Sequence, residues 1–221
     1  MPRRGRYAEA ERNDRRLLEA AREVFATQGF EAPVSAIAER AGVGIGSLYR
    51  RYATKEELLQ RLCVLAMQQV IDAAERGLAA ESAWSGLVGY IRECVAFGTG
   101  ALAPVAGRIE TTEEMWQTAR KAREVTDQLV ARAHEEGTLR EDVTSLDISL
   151  LMELFSRRSP VRPADKDQDT RERLLAVALD GLRADPSAQE REPLPGRPPS
   201  LDEYVEPWRR STSAPATNST T

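Results

Sequence analysis

Apolar residues recur through most of the chain at spacings of three and four, the pattern of helices with one buried face. Asn13 suits an N-cap, and Leu17, Ala21, Val24, Phe25 and Gln28 then keep helical spacing. Gly29 provides a stop, with Phe30 placed to pack back on the helix. Pro33 suits the first turn of a second helix, whose apolar face is Val34, Ile37, Ala38 and Ala41. Gly42-Val43-Gly44 forms a tight turn into a short third helix, Ile45 to Tyr52, in which Leu48 and Tyr52 share a face. Thr54 and Glu57 have capping-box spacing and open a long fourth helix through Leu58, Leu59, Leu62, Leu65, Ala66 and Val70, ending near Gly77.

Ser82 begins a fifth helix rich in small residues, and Pro104 marks a break with room for one short helix. Thr111 and Glu114 form a second capping box, and the helix they start runs to Gly137. Ser145 caps a helix carrying Ile148, Leu151, Met152 and Phe155. Arg157 to Gln168, with Pro160 and Pro163, reads as a loop before a last helix over Asp169 to Arg183. Beyond Asp185 the chain holds seven of its 12 prolines and ends in a Ser/Thr run, a composition of disorder. Within that tail, Leu201 to Trp208 reads either as unstructured chain or as a small docking motif built on Tyr204 and Trp208. The predicted organisation is all-α: a basic disordered arm over 1–12, a three-helix unit over 13–55, a helical body over 56–184 and a disordered tail over 185–221.

Charge sharpens this division. The net charge of −4 is uneven: residues 1–55 carry 11 Lys and Arg against 7 Asp and Glu, while residues 56–221 carry 20 against 28. A basic amino-terminal part on an acidic body fits one lobe meeting phosphates. No apolar run has the length of a membrane span or a secretory signal, so a cytoplasmic location is expected. Cys63 and Cys94 sit in apolar neighbourhoods and read as buried thiols. The one histidine, His134, lacks the second ligand of a zinc-protease helix and reads as a helix-end residue. No phosphate loop, Cys/His cluster or nucleophile motif is present, so no metal, cofactor or catalytic step is expected.

The chemistry concentrates in Pro33 to Lys55. Two short helices can meet at a tight angle only where small residues let the backbones approach, here Ala38, Ala41 and Gly42, with Val43 filling the gap. The third helix then buries Leu48 and Tyr52 and points Ile45, Gly46, Ser47, Tyr49, Arg50 and Arg51 outward. An exposed helix bearing hydroxyls and arginines fits the DNA major groove, where serine and arginine hydrogen-bond base edges. Tyr49 and Lys55 have the reach for phosphate oxygens, and the helix start at Gly44 adds a favourable partial charge. The pattern is a helix-turn-helix.

The segment Ile37-Ala38-x-x-Ala41-Gly42-Val43, then Leu48-Tyr49-x-x-Tyr52, then Lys55, resembles the DNA-binding domain of the tetracycline-repressor (TetR) family over about residues 13–60. Leu129 to Ile148 resembles part of that family's second lobe. The chain departs at Ala32-Pro33, Gly44 and Arg51, where members often have hydroxyl residues or histidine; Ser35 is positioned to replace a lost hydroxyl. The resemblance implies an amino-terminal helix-turn-helix domain and a carboxy-terminal ligand-binding and dimerisation domain. It implies a sequence-specific regulator, commonly a repressor that a small-molecule effector releases from its operator. It implies a pocket enclosed by helices five to seven, with Trp84, Tyr90, Cys94, Phe97, Met115, Trp116 and Met152 as candidate lining residues, each of which fits simple core packing at least as well, and Arg92, Glu110, Gln117 and Arg120 as candidate polar groups. It also implies a homodimer on a palindromic double-stranded DNA operator, paired through Leu150, Leu154, Leu175, Leu179 and Leu182. The competing expectation is a helical small-molecule binder or enzyme that has lost DNA binding.

Overall fold

The structure, a computed structural model, describes residues 3–29, 31–157, 163–184 and 192–209. Among them run nine α-helices and one 3-10 helix. The first three helices are α1 (Arg3–Gln28), α2 (Val34–Ala41) and α3 (Ile45–Arg51). The body follows with α4 (Lys55–Leu78), α5 (Ala83–Phe97), the 3-10 helix η1 (Thr99–Val105), α6 (Glu113–Glu135), α7 (Ser145–Ser156) and α8 (Ala164–Leu182). Last comes α9 (Leu201–Arg209). The described part is thus all-α, apart from an isolated antiparallel bridge between Leu139 and Arg183. That bridge ties the end of α8 to the α6–α7 connection: Arg140 N–H donates to the Leu182 carbonyl and Ala184 N–H to that of Thr138.

Two apolar cores organise the helices. The first joins the buried face of α1 (Leu17, Leu18, Ala21, Val24) to Val34, Ile37, Leu48 and Tyr52, and to Leu58, Leu59 and Leu62 of α4. The second joins Ile71, Ala73 and Ala74 of α4 to α5, α6, α7 and, through Leu175 and Leu179, α8. Helix α4 therefore belongs to both, its first half in one core and its second half in the other. Where α4 crosses α5 the backbones touch. A Cβ built on Gly86 would lie 2.1 Å from the Gly77 carbonyl oxygen. Backbone cannot yield as a flexible side chain would, so Gly86→Ala is expected to lower stability by about 1–3 kcal/mol. A thermal melt reads this at about 2–4 °C per kcal/mol for a chain of this size; an unchanged Tm would mean that α4 and α5 separate without cost.

Several element ends differ from expectation. Helix α1 passes through Asn13 and begins at Arg3, so most of the segment expected as a disordered arm is helical backbone; its Arg, Glu and Ala residues favour helix over cap. The α6 cap is Thr112, whose hydroxyl accepts from Met115 N–H, while Thr111 instead accepts from the Trp116 indole. The α7 cap is Thr144 in a reciprocal capping box with Asp147, one residue ahead of Ser145. Helix α8 starts at Ala164, inside the expected loop, with Asp165 and Asp167 in its first turn facing the helix dipole favourably. The tail expected to be disordered holds α9, opened by Ser200, whose hydroxyl accepts from Glu203 N–H. Phe30, the middle of the expected loop at 158–162, and tail residues 185–191 and 210–221 lie outside the described residues, as do Met1 and Pro2.

Candidate nucleic-acid interface and ligand cavity

Helix α2 ends at Gly42, whose φ of 65° is the left-handed conformation that glycine adopts without strain. Gly42 N–H donates to Glu39 and Val43 N–H to Ala38, turning the chain sharply. Gly44 then caps α3 with backbone alone; its carbonyl accepts from Ser47 and Leu48 N–H at 2.9 and 3.0 Å. Leu48 fills the first core and anchors α3. The opposite face is open: Gly44, Ile45, Gly46, Ser47, Tyr49 and Arg50 are exposed, Tyr49 at 49% and Ile45 at 40%. Ser35, in the first turn of α2, is exposed as well.

Two expected contact residues already hold partners within the chain, although Arg51 stays exposed. Arg51 Nη2 donates to Asp14 Oδ2 at 2.8 Å, and Lys55 Nζ donates to the Ala32 carbonyl at 3.0 Å. Asp14 was not singled out in the sequence, yet it is only 1% exposed. It also accepts the Tyr52 hydroxyl at 2.8 Å and lies 3.7 Å from Arg61 Nε. One carboxylate thus joins α1, the end of α3 and α4. Burial, then the bond to Asp14, push the Tyr52 phenol up to about 12, so it stays a donor. The missed signal is positional: Asp14, Leu17, Leu18 and Ala21 fall at i, i+3, i+4 and i+7, an acid on an apolar face.

The second lobe holds a partly open cavity of about 610 Å³. Cys63, Ala66, Met67 and Val70 of α4 form one wall, and Met115, Trp116, Ala119 and Arg120 of α6 another. Tyr90, Leu102, Ser149 and Met152 close it from α5, η1 and α7. Of the expected lining residues, Tyr90, Met115, Trp116 and Met152 are there, with Arg120 as a polar group. Trp84 instead packs on the second core with the Arg183 guanidinium 5.6 Å over its ring. Cys94 is core, and Phe97 packs on the first core. Arg92, Glu110 and Gln117 are exposed. Further polar groups lie within. The Thr126 hydroxyl donates to the Ala122 carbonyl, leaving its oxygen to accept from Tyr90 at 3.0 Å. Burial pushes the Cys63 thiol up to about 12, so the cavity wall carries a neutral thiol at physiological pH. Among the described residues no cluster of His, Cys, Asp or Glu fits a metal ion; His134 Nε2 lies 3.1 Å from the Arg140 carbonyl at a helix end.

The segment between η1 and α6 connects cavity and helix-turn-helix. Glu110 N–H donates to Glu56 at 2.6 Å and Gln60 donates to the Glu110 carbonyl at 2.9 Å, both at the start of α4. Arg108 pairs with Glu31 before α2 at 2.9 Å. Of the expected pairing residues, Leu150 and Leu154 are 41% and 62% exposed, but Leu175 and Leu179 are buried in the second core and Leu182 packs against it. The outward face of α8 carries Leu174 and Val177 instead, 52% and 65% exposed.

Comparison with known proteins agrees with this architecture. The profile described as bacterial regulatory proteins, tetR family, matches residues 17–62. That of the transcriptional regulator SbtR-like carboxy-terminal domain matches residues 73–184. A TetR transcriptional regulator from Streptomyces coelicolor superimposes with a TM-score of 0.58 at 26% identity, over 79% of this chain and 99% of that one. A TetR regulatory protein from Mycobacterium vanbaalenii does so with 0.55 at 29% identity, over 80% and 99%. The ketosteroid transcriptional regulator KstR2 of Mycobacterium tuberculosis shares the fold, with 0.54 at 23% identity over 76% and 94%. No described helix is long and apolar enough to cross a membrane. With a helix-turn-helix whose outer α3 face is open and both halves matched in order, the chain belongs to the tetR family and is a DNA-binding transcriptional regulator.

Proposed function

We propose that this protein is a cytoplasmic, homodimeric repressor that a small-molecule effector releases from a palindromic operator. The observation that carries this reading is that one helix, α4, forms a wall of the 610 Å³ cavity and leaves directly from the recognition unit. A cavity of that size holds a drug-sized ligand. Its walls are mostly apolar, with Thr126, Ser149 and Arg120 to orient a polar group. The protein acts by binding, and no catalytic step enters this reading.

On DNA, Ile45 and Gly46 set the approach of α3, and Ser47 and Arg50 read base edges. Tyr49 and Ser35 meet phosphates, with the Gly44 helix start adding its partial charge. Arg51 and Lys55 reach phosphate only by sharing or exchanging Asp14 and the Ala32 carbonyl. The dimer forms through the outward faces of α7 and α8, where Leu154, Leu174 and Val177 leave apolar surface in water, with Leu150 at the border between that face and the cavity it lines. Leu175, Leu179 and Leu182 support that face from within. Two recognition helices must then sit about 34–36 Å apart to meet successive major grooves. A ligand that fits one spacing better than another shifts the protein toward it by its difference in affinity. The connection runs through Glu110 to Glu56 and Gln60 on α4.

Selection of bound DNA from a random pool tests this. A two-fold symmetric site, its half-sites about one helical turn or a multiple apart, is the expected result. An asymmetric site would overturn the dimer, and no enrichment would overturn operator binding.

A further inference from the structure

Beyond the family's matched region, the chain returns to the cavity. Residues 192–194 are gripped by the α6–α7 connection. Arg140 forks onto Asp142 at 2.7 Å through both nitrogens and also donates to the Glu192 carbonyl, while Leu194 N–H donates to Asp142 at 2.8 Å. Ser200 and Glu203 then cap α9, with Glu203 also paired to Arg197. Leu201, Tyr204, Val205 and Trp208 fall at i, i+3, i+4 and i+7, an apolar stripe, and all four line the cavity. Asp202 and Arg209 form an ion pair at 3.0 Å.

The docking is close but incomplete. Trp208 packs on the first core, and a Cβ built at Gly107 would lie 3.3 Å from the Pro207 carbonyl. Gly107 begins the segment that holds Glu56 and Gln60, so α9 rests on the connection between the lobes. Yet no α9 residue is fully buried. The helix has nine residues with Pro207 inside it. A helix that short is marginal by itself in water, so it depends on the surface beneath it. Few buried contacts and dependence on a docking surface mark an element that opens locally at low free energy.

We propose that α9 is a lid over one side of the effector cavity, docked by its Leu201–Tyr204–Val205–Trp208 stripe, and that its lifting opens the main route by which ligand enters and leaves. This rests on the cavity being the effector site. A lid open about one tenth of the time slows entry and exit about tenfold alike.

The test compares the full-length chain with its Tyr204→Ala, Trp208→Ala form by stopped-flow binding of the fluorescent probe anilinonaphthalene sulfonate. Both the association and the dissociation rate are expected to rise about tenfold in the substituted form. Rates equal in the two forms would overturn the lid. Ala119→Trp, which fills the cavity from α6, is the second measurement and is expected to abolish the probe signal in either form. If it leaves the signal intact, or if the probe fails to bind, the cavity is not a ligand site and the lid falls with it. Operator selection on the wild-type chain separates the two readings: DNA binding without a rate change overturns the lid alone.

Discussion

Replacing Ser47, Tyr49 and Arg50 together with alanine is expected to lower affinity for the selected operator by about 100- to 1,000-fold. Each side chain projects from the open face of α3, opposite the Leu48 anchor. A lost base-edge pair costs about 1–3 kcal/mol, and three lost contacts together about 3–4 kcal/mol, which is that range of affinity. Losing a phosphate contact also lowers the slope of log affinity against log salt by about one. Exposed substitutions of this kind move stability by only about 0.5 kcal/mol, so Tm should hold while binding collapses. Fluorescence anisotropy on labelled operator at several salt concentrations reads both. Affinity within about threefold of wild type would mean that the groove is read by another part of the protein.

Asp14→Ala should act differently, striking fold and binding together. It removes the acceptor of a buried tyrosine hydroxyl and of a charged guanidinium, 2.8 Å away in each case. Losing both costs about 3 kcal/mol, a fall in Tm of about 6–12 °C in a chain of this size. Arg51 and Tyr52 end the recognition helix, so its placement loosens too. If about 1.4 kcal/mol of the loss falls on that placement, operator affinity drops about tenfold. Tyr52→Phe is the graded control: it keeps the Arg51–Asp14 pair and should show a smaller change in both measurements. Equal melting curves for wild type and Asp14→Ala would show that water replaces the carboxylate without cost.

How far the sequence predicted these features depended on how local each cause is. The helix-turn-helix was legible because Gly42, Gly44 and the Thr54 cap act within a few residues of themselves. The start of α1 was not, because Asn13 offers a good cap to a chain that prefers to remain helical on both sides of it. Thr111 and Thr112 compete as neighbours for one cap; Thr112 takes it, and Thr111 accepts from the Trp116 indole instead. Arg51 was expected on the groove-facing surface from helical phase alone; its partner lies 37 residues earlier, and no local pattern connects them. The same holds for Leu175 and Leu179, whose apolar character fits an interface or a core, and which tertiary packing sends inward. The tail misled through its prolines. Its Ser200-x-x-Glu203 cap and i, i+3, i+4, i+7 stripe are visible in the sequence, but the surface that makes them fold is far away along the chain.

Because α4 places Leu58, Leu59 and Leu62 in one core and Ile71, Ala73 and Ala74 in the other, the lobes are not interchangeable parts. A chimera that joins this recognition unit to another regulator's second lobe at residue 55 would cut the first core in two, parting α1–α3 from Leu58, Leu59 and Leu62, while the second core is left behind whole. A junction within α4, near Met67, which packs against both cores, keeps Leu58, Leu59 and Leu62 with α1–α3 and leaves only Leu102, Val105, Ile109 and Met115 of the first core to be matched by the new lobe. Even there, the Glu56 and Gln60 contacts to Glu110 would have to be rebuilt on the new sensor for it to address the old recognition unit.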